Sequence, residues 1–347
     1  MAPNNTNIEV LTSLDDLINN GCTTEPPKEA QPKEETSSEE EKGPTPAELR
    51  ALRKKRAVML KGTTLGSLPV VYPEKDSWYS LSVIPKKSGG KRIIEAPVEW
   101  LKTAQKKIYE DVLLKYCPVS EHAFGCIKNR NTTLASEPHV GKKIILKLDL
   151  KDCFHNITVE KIEKALVFSG LPNTLAVSIA YYCTNSRGVL PQGSPASASL
   201  ANIYMIKMYA ALNKMSTAMG LQFSGYLDDL VISGVDAWKA YKAAVSIINT
   251  YGFIVSPEKV SIMRRKKEVL GICVAAGKDH TRLPAKTRRS IRGFLHNIRL
   301  KAESKEKIPE ADVMKLSGFV AYAEAVRDQK AELFKKQLTE IRRLIGE

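Results

Sequence analysis

Three aspartates stand in apolar, β-prone surroundings and could act together. Asp149 interrupts the run "KKIILKLDLKDCF", and Asp228 and Asp229 are adjacent within "SGYLDDLVISG". Buried carboxylates repel one another and are costly to desolvate unless a positive charge compensates them. Two interpretations are open at this point: the adjacent pair is a solvated turn between two strands, or the carboxylates hold metal.

The metal interpretation accounts for all three carboxylates. An antiparallel sheet can bring the strand that carries Asp149 beside a hairpin that carries Asp228 and Asp229 at its tip. Hard oxygen ligands, with only five histidines in the chain, favour Mg²⁺ or Mn²⁺. Two such ions, about 4 Å apart, activate an attacking oxygen and stabilise a leaving one, which is the chemistry of phosphoryl transfer. We therefore predict that the three aspartates are catalytic.

The charge of the chain favours a polyanionic partner. The 347 residues carry a net charge of +15, while residues 1–45 hold ten acidic and three basic side chains and are net negative. The remainder is therefore more basic than the whole, and nucleic acid is the commonest partner of such a surface. A merely soluble basic surface is the alternative.

Cysteine usage and hydropathy favour a cytoplasmic protein. The six cysteines form no C-x-x-C pair, which argues against a zinc site and a disulfide framework. The first residues are polar and lack the apolar segment of a signal peptide. One uncharged stretch, residues 165–186, is long enough to suggest a membrane span, but "SGLPNT" at its centre predicts two core segments instead. We expect no membrane association.

The elements that position the aspartates can be predicted from the pattern. Residues 1–22 are an N-terminal segment, residues 23–45 are a disordered acidic linker, and a helix begins near Thr45. The stretch "YSLSVIPKKSGGKRIIEAP" predicts a hairpin, and "VEWLKTAQKKIYEDVLLKY" an amphipathic helix. Helices are expected over 159–184, after "GVLPQGSP", and over "AWKAYKAAVSIINTYG". Short strands are expected around "FIVSP" and "EVLGICV".

From Pro284 onward the pattern is helical and strongly basic. Helical spacing places four basic side chains on one face: Arg288, Arg292, His296 and Arg299. We predict that this face holds the backbone of a nucleic acid. An ordinary amphipathic surface helix is the alternative.

Taken together, the motifs resemble those of reverse transcriptases. "YLDD" looks like their Tyr-x-Asp-Asp motif, "LDLKDCF" and "LPQGSPASASLAN" resemble their palm motifs, and "IPKKSGGKRIIEAP" resembles the fingers hairpin. "GFIVSPEK" and "VLGICV" match later palm elements. The stretch "HAFGCIKNRNTTLASEPHVGKK" resembles the bacterial retron enzymes, although Leu227 stands where these usually have Ala.

The resemblance implies an α+β fold, the right-hand polymerase. Its palm is an antiparallel sheet packed on helices, joined to fingers and to a small helical thumb. We expect fingers and N-terminal region over 46–140, palm with a fingers insertion over 141–282, and thumb over 283–347.

The resemblance also implies roles for individual residues. Asp149, Asp228, Asp229 and the Leu150 carbonyl would hold two Mg²⁺ ions, with Mn²⁺ as an alternative. The predicted nucleotide-binding residues are Lys86, Arg92, Phe154 and Gln192, with Phe154 at the position that excludes a ribose 2′-OH. Lys259 is a candidate general acid, and His139 a candidate nucleic-acid contact. Each role has an alternative. Lys86 and Arg92 could belong to a solvated hairpin, and Phe154 could be part of the core. Lys259 could be an ordinary surface lysine, and His139 a structural histidine.

The expected function is that of an RNA-directed DNA polymerase of retron type. Such an enzyme copies a structured non-coding RNA with dNTPs into branched msDNA, an RNA–DNA hybrid, in anti-phage defence, with an effector or toxin protein as a further partner. Two alternatives remain: a stand-alone defence or group II intron-like bacterial reverse transcriptase, and a non-catalytic RNA-binding scaffold.

Overall fold

The computed structural model describes residues 75–85, 89–274 and 280–346. The predicted N-terminal segment, the acidic linker, the helix near Thr45 and the side chain of Lys86 lie outside the described residues. No helix among the described residues has the length and apolar character needed to cross a membrane.

The described strands and helices alternate in a mixed α+β order, which agrees with the predicted fold class. The strands are β1 (Tyr79–Pro85), β2 (Lys91–Pro97), β3 (Ile144–Asp149), β4 (Gln222–Tyr226), β5 (Asp229–Gly234), β6 (Ser261–Met263), β7 (Glu268–Val269) and β8 (Ile272–Cys273). The helices are α1 (Glu99–Lys107), α2 (Thr132–Ser136), α3 (Val159–Phe168), α4 (Asn173–Cys183), α5 (Ser197–Tyr204), α6 (Ile206–Ala218), α7 (Tyr241–Thr250), α8 (Ala285–Glu303), α9 (Glu310–Ala325) and α10 (Ala331–Ile345). Helix α1 continues through a π-helical turn, Ile108–Leu113, and an α-helical turn, Leu114–Tyr116.

A four-stranded antiparallel sheet supports the site, with strand order β4-β5-β3-β6. Strand β3 is central and its burial is nearly continuous, as expected for a strand covered on both faces. Because successive side chains point to opposite faces, Leu146 and Leu148 lie on one face, and Ile145, Lys147 and Asp149 lie on the other. The catalytic candidates therefore share a face with Lys147.

Each face of this sheet packs on a different apolar core. Leu146, Leu148 and Ile232 join the larger core, which also includes residues of α3 to α7. Ile145 and Val231 join a second core with side chains of α8, α9 and α10. The C-terminal helices therefore cover part of the face on which Asp149 and Asp229 lie.

Asp328 fixes the entry into the C-terminal helices. Its buried carboxylate accepts hydrogen bonds from the backbone N–H groups of Leu283, at 2.9 Å, and Lys330, at 2.8 Å. Leu283 precedes α8 and Lys330 precedes α10. One side chain thus satisfies backbone donors next to two helix starts, where donors otherwise lack partners.

Most of the predicted elements are present, and the differences are local. The "SGLPNT" break is confirmed, because α3 ends before Gly170, whose φ is +91°, and Pro172 caps α4. The long helix predicted after the "GVLPQGSP" loop divides at Met205 into α5 and α6. The strand predicted at "FIVSP" is wrong except for one bridge between Val255 and Leu150, and the edge strand β6 lies further along the chain.

Candidate active site

The register of the central strands brings the aspartates together. In the antiparallel pair of β3 and β5, Asp149 lies directly opposite Asp229. Asp228 occupies the preceding turn, and its carbonyl accepts a hydrogen bond from the Leu150 N–H at 2.9 Å. The two chain segments predicted to converge therefore do so, with the Leu150 backbone beside the turn.

The turn itself depends on Leu227, which has a left-handed backbone conformation with φ of +54°. That conformation is unfavourable for a residue with a branched side chain, so its surroundings must hold it. The Tyr209 hydroxyl donates to the Leu227 carbonyl at 3.0 Å. Gly125 leaves room for the Leu227 side chain, since a Cβ at 125 would lie 2.8 Å from Leu227 Cγ. Thus Leu227 is accommodated by specific neighbours.

Two lysines contact the carboxylates. Lys259 Nζ lies 2.7 Å from Asp149 Oδ2, and Lys147 Nζ lies 2.8 Å from Asp229 Oδ1. The Ser256 hydroxyl donates to the same Asp149 oxygen at 3.1 Å. The hydrogen bond with Asp149 raises the pKa of Lys259, so its ammonium form is favoured. Lys147 was missed from the sequence, although the two-residue strand period places it on the face of Asp149.

Asp228 is the carboxylate with the least compensation. Burial raises its pKa first, and the neighbouring charges of Asp229 and Asp149 raise it further. In the part of the chain that the structure describes, no three His, Cys, Asp or Glu side chains are grouped as a metal site. The site as described consists of three partly buried carboxylates, and ammonium groups contact two of them, Asp149 and Asp229.

The predicted nucleotide-binding residues that the structure describes lie on three different elements. Phe154 begins a short 3₁₀ turn after β3 and is half-buried against the larger core. Gln192 lies in the loop before α5, and its carbonyl accepts a hydrogen bond from the Glu95 N–H at 2.7 Å. Arg92 is exposed on β2, opposite Ile84. The loop and the hairpin are thus joined by their backbones.

Glu95 is a buried acid that the sequence interpretation missed. The residue is 5% exposed and lies on β2 near the end of the hairpin. Its Oε1 accepts hydrogen bonds from Asn185 Nδ2 at 2.8 Å and from Arg187 Nη2 at 3.0 Å. His155 Nε2 lies 3.4 Å from its Oε2. We call Glu95, His155, Asn185 and Arg187 the Glu95 network.

The assignment of His139 to nucleic-acid binding is wrong. The side chain is fully buried, and its ring nitrogens lie 2.7 Å from the hydroxyls of Ser233 and Ser224. These serines belong to β5 and β4, so His139 fastens two strands together. Burial lowers its pKa to about 3, and Lys142 adds to the effect, so the ring is neutral. The structural alternative is the correct one.

The predicted basic face of α8 is only partly available. Arg288 Nε lies 3.9 Å from Asp328, and Arg299 pairs with Glu303 and Glu340. Arg292 and His296 are exposed. Acidic residues therefore pair with two of the four predicted contacts. Glu303 is within helical spacing of Arg299, whereas Asp328 and Glu340 are distant in sequence and could not be identified from the helix alone.

Comparison with known proteins identifies the family. Residues 84–274, more than half of the chain, match the family model described as reverse transcriptase (RNA-dependent DNA polymerase). The chain belongs to the reverse transcriptase family. The matched region contains the three aspartates, Phe154 and Gln192, and it ends before α8.

The chain is also similar to reverse transcriptases of bacterial retrons. It is 30% identical to the retron Mx65 reverse transcriptase of Myxococcus xanthus over 75% of this chain and 64% of that protein. It is 27% identical to the retron Mx162 reverse transcriptase of the same organism over 74% of this chain and 60% of that protein. The chain thus spans somewhat less than two thirds of these relatives.

A solved structure of telomerase from Candida albicans, in complex with a fragment of telomeric RNA, is also similar. The TM-score is 0.45 and the sequence identity 11%, and the match covers 85% of this chain and 68% of that one.

Proposed function

We propose that this chain is an RNA-directed DNA polymerase that copies a structured non-coding RNA into DNA, with dNTPs as substrates. The observation that carries the proposal is the placement of Asp149 directly opposite Asp229, with Asp228 in the adjoining turn, within a chain of the reverse transcriptase family. The retron relatives support a branched RNA–DNA product, msDNA. Family members of this kind generally use divalent metal ions.

The side chains of the three aspartates suit a hard divalent cation. Asp149, Asp228 and Asp229 offer carboxylate oxygens, which Mg²⁺ prefers, and Mn²⁺ accepts the same donors. Burial, and after it the charges of Asp229 and Asp149, raise the pKa of Asp228, so a bound cation would favour its ionised form. We propose that these aspartates and the Leu150 carbonyl hold two ions. Bound there, the ions would activate the attacking hydroxyl oxygen and stabilise the leaving pyrophosphate oxygen.

Lys259 is proposed as the general acid for the leaving pyrophosphate. Its ammonium form is favoured, and the ammonium contacts the Asp149 carboxylate. Proton delivery requires that the ammonium leave Asp149 for the pyrophosphate. The long, half-exposed side chain of Lys259 allows such a change of partner.

The pocket beside the aspartates is proposed to bind the incoming nucleotide. Arg92, with Lys86, would neutralise the triphosphate, since a guanidinium pairs with phosphate oxygens through two hydrogen bonds. Gln192 would line the pocket, and Phe154 would occupy the space of a ribose 2′-OH. We propose that residues 46–140, 141–282 and 283–347 act as fingers, palm and thumb.

The biological role proposed is anti-phage defence, with an effector or toxin protein as partner. The proposal follows from the retron type alone. Phage plating on cells that carry the gene with its RNA, compared with cells that carry an Asp228→Asn copy, tests it: equal plating on both contradicts the role.

Primer extension on an RNA template with Mg²⁺ tests the activity. The parent should extend, and Asp228→Asn should not, because the change removes ligand charge at nearly constant volume. RNA affinity and melting temperature should be unchanged in the variant. Near-normal extension by Asp228→Asn would remove this residue from the metal site. Failure of the parent to extend any primed RNA would favour the non-catalytic scaffold.

Sequencing of the nucleic acid that co-purifies with the parent tests the retron product. A DNA strand joined to RNA through a branch supports it, and unbranched complementary DNA would favour another type of bacterial reverse transcriptase.

A further inference from the structure

Glu95 connects parts of the molecule that are far apart in sequence. Asn185 and Arg187, whose side chains bond its carboxylate, are 90 and 92 residues away, and His155 is 60 residues away. Its backbone N–H bonds the Gln192 carbonyl at 2.7 Å. A single residue of the hairpin β1–β2 therefore meets the loop before α5, the turn after α4 and the residue that follows Phe154.

The loop is shaped to fit this contact. Gly193 has φ of +134°, and a Cβ on it would lie 2.9 Å from the Glu95 carbonyl oxygen and 3.0 Å from Ile94 Cγ2. Only glycine permits such a close approach with that backbone conformation. The Gly in "PQGSP" thus lets the Gln192 loop dock on β2 at Glu95.

The charges of the network balance locally. A buried carboxylate is costly unless it is paired and hydrogen-bonded, and the Glu95 carboxylate has both the Arg187 guanidinium and the Asn185 amide. The Arg187 side chain is 61% exposed. Its contact with Glu95 therefore serves mainly to compensate the buried carboxylate. Removing the carboxylate charge would therefore loosen the hairpin from the turn after α4 that carries Asn185 and Arg187.

We propose that Glu95 is a positioning residue that holds the fingers hairpin against the nucleotide pocket. Through the network it holds the Phe154–His155 turn and the turn after α4, which leads into the loop that its backbone N–H contacts at Gln192. These segments are thereby kept in the arrangement that binds a dNTP. The inference rests on the proposed polymerase activity. When the binding-competent arrangement is only partly populated, the apparent affinity for the ligand falls by that fraction. Loss of Glu95 should therefore raise KM for the dNTP and leave kcat nearly unchanged, since saturating dNTP restores the arrangement.

The test compares Glu95→Gln with the parent in steady-state primer extension at varied dNTP concentration. We expect KM to rise about tenfold, equivalent to about 1.4 kcal/mol, with kcat within about twofold. The matched control is Glu99→Gln, the same charge change at an exposed position on α1 whose ion pair is with Lys102. The control should show the KM of the parent.

Arg187→Gln provides a second variant, because this exposed side chain can be changed without loss of the core. It should raise KM like Glu95→Gln, and the double variant should be no worse than either single one, since both act through one contact. Additive effects would mean that Arg187 contacts the substrate independently and would overturn its place in the network. If Glu95→Gln does not fold, an unchanged KM in Arg187→Gln overturns the proposal.

Three outcomes are separated by these measurements. An unchanged KM in a Glu95→Gln variant from an active parent overturns the positioning role. A lowered melting temperature and a lowered kcat with unchanged KM show that Glu95 is structural only, which also overturns it. An inactive parent contradicts the proposed function itself, and is recognised before any variant is measured.

Discussion

Phe154 is the residue that would select the sugar of the incoming nucleotide. It follows Asp149 by five residues and is half-buried against the larger core. Phe154→Ala would open space for a 2′-OH, and we expect discrimination against a ribonucleotide to fall at least tenfold, worth about 1.4 kcal/mol. The ratio of kcat/KM for a dNTP and its matching rNTP measures this.

A melting curve of Phe154→Ala separates selection from packing. If the ring serves only the core, its removal leaves a cavity that costs up to about 3–5 kcal/mol and slows both substrates equally. A lowered melting temperature with an unchanged dNTP/rNTP ratio would refute the sugar selection.

His139 should make the stability of the fold depend on pH. Its pKa is about 3 in the folded protein, below the usual value near 6.5 in an unfolded chain. The unfolded state therefore binds more protons between these values, so the stabilisation is complete above about pH 6.5 and is lost as the pH falls. Between pH 7.5 and 5, we expect a loss of about 2 kcal/mol from this group. Denaturant unfolding at both pH values measures it.

The contribution of His139 is isolated by substitution. His139→Gln removes the titrating ring, so the variant, although less stable at pH 7.5, should lose about 2 kcal/mol less than the parent on acidification. His296→Gln, at an exposed position on α8, is the control. Its free energy of unfolding should fall between pH 7.5 and 5 by as much as that of the parent. Parallel losses in His139→Gln and the parent would show that the buried ring does not titrate in this way.

At the scale of elements, the β4–β5 hairpin is held by its contact with α6. A Cβ on Gly225 would lie 2.7 Å from the buried Tyr209 ring, whose hydroxyl supports Leu227 beside Asp228. Gly225→Ala should therefore destabilise the fold by about 1–3 kcal/mol through overpacking. It should also reduce primer extension, because the turn that carries Asp228 shifts.

A glycine-to-alanine substitution at a position with free space around the added Cβ gives the control. Gly318 lies within α9, and no heavy atom comes within 4 Å of a Cβ placed there. Gly318→Ala should stabilise the fold by up to about 1 kcal/mol, as alanine favours a helix over glycine. Chemical unfolding should show a lower free energy of unfolding for Gly225→Ala and a higher one for Gly318→Ala than for the parent. A Gly225→Ala variant as stable as the parent would mean that Tyr209 moves aside freely.

The elements around the site could be predicted because their signals are local. Alternation in "QFSGYLDDLVISG" predicts a hairpin with the aspartates at its turn, and the apolar run before Asp149 predicts a buried strand. The left-handed conformation of Leu227 could not be predicted, because it depends on Tyr209 and Gly125, which are distant in sequence. The edge strand β6 was missed for a similar reason: three half-buried residues give too short a pattern.

Partners within the site were the harder part of the prediction. Residue type and spacing identify Asp149, Asp228 and Asp229, since acids in apolar surroundings are unusual. Whether a basic or acidic side chain is free depends on contacts between elements, as the pairing of Arg288 with Asp328 and the burial of Glu95 illustrate. Local sequence contains no signal for such pairings.

At the scale of the whole molecule, charge should govern RNA binding, and two arginines of one helix allow a matched test. Arg292 is exposed on α8 and Arg299 on the same helix is engaged by Glu303 and Glu340. A phosphate contact by a free arginine releases counterions, so its loss reduces the slope of log affinity against log salt by about 0.7–0.9. Arg292→Ala should show this change and weaken binding of all RNA sequences alike. Arg299→Ala should leave the slope nearly unchanged, because two carboxylates already neutralise its guanidinium. These expectations are tested by measuring RNA affinity at several salt concentrations for both variants and the parent. An unchanged slope in Arg292→Ala would show that this face of α8 points to solvent and does not bind the RNA backbone.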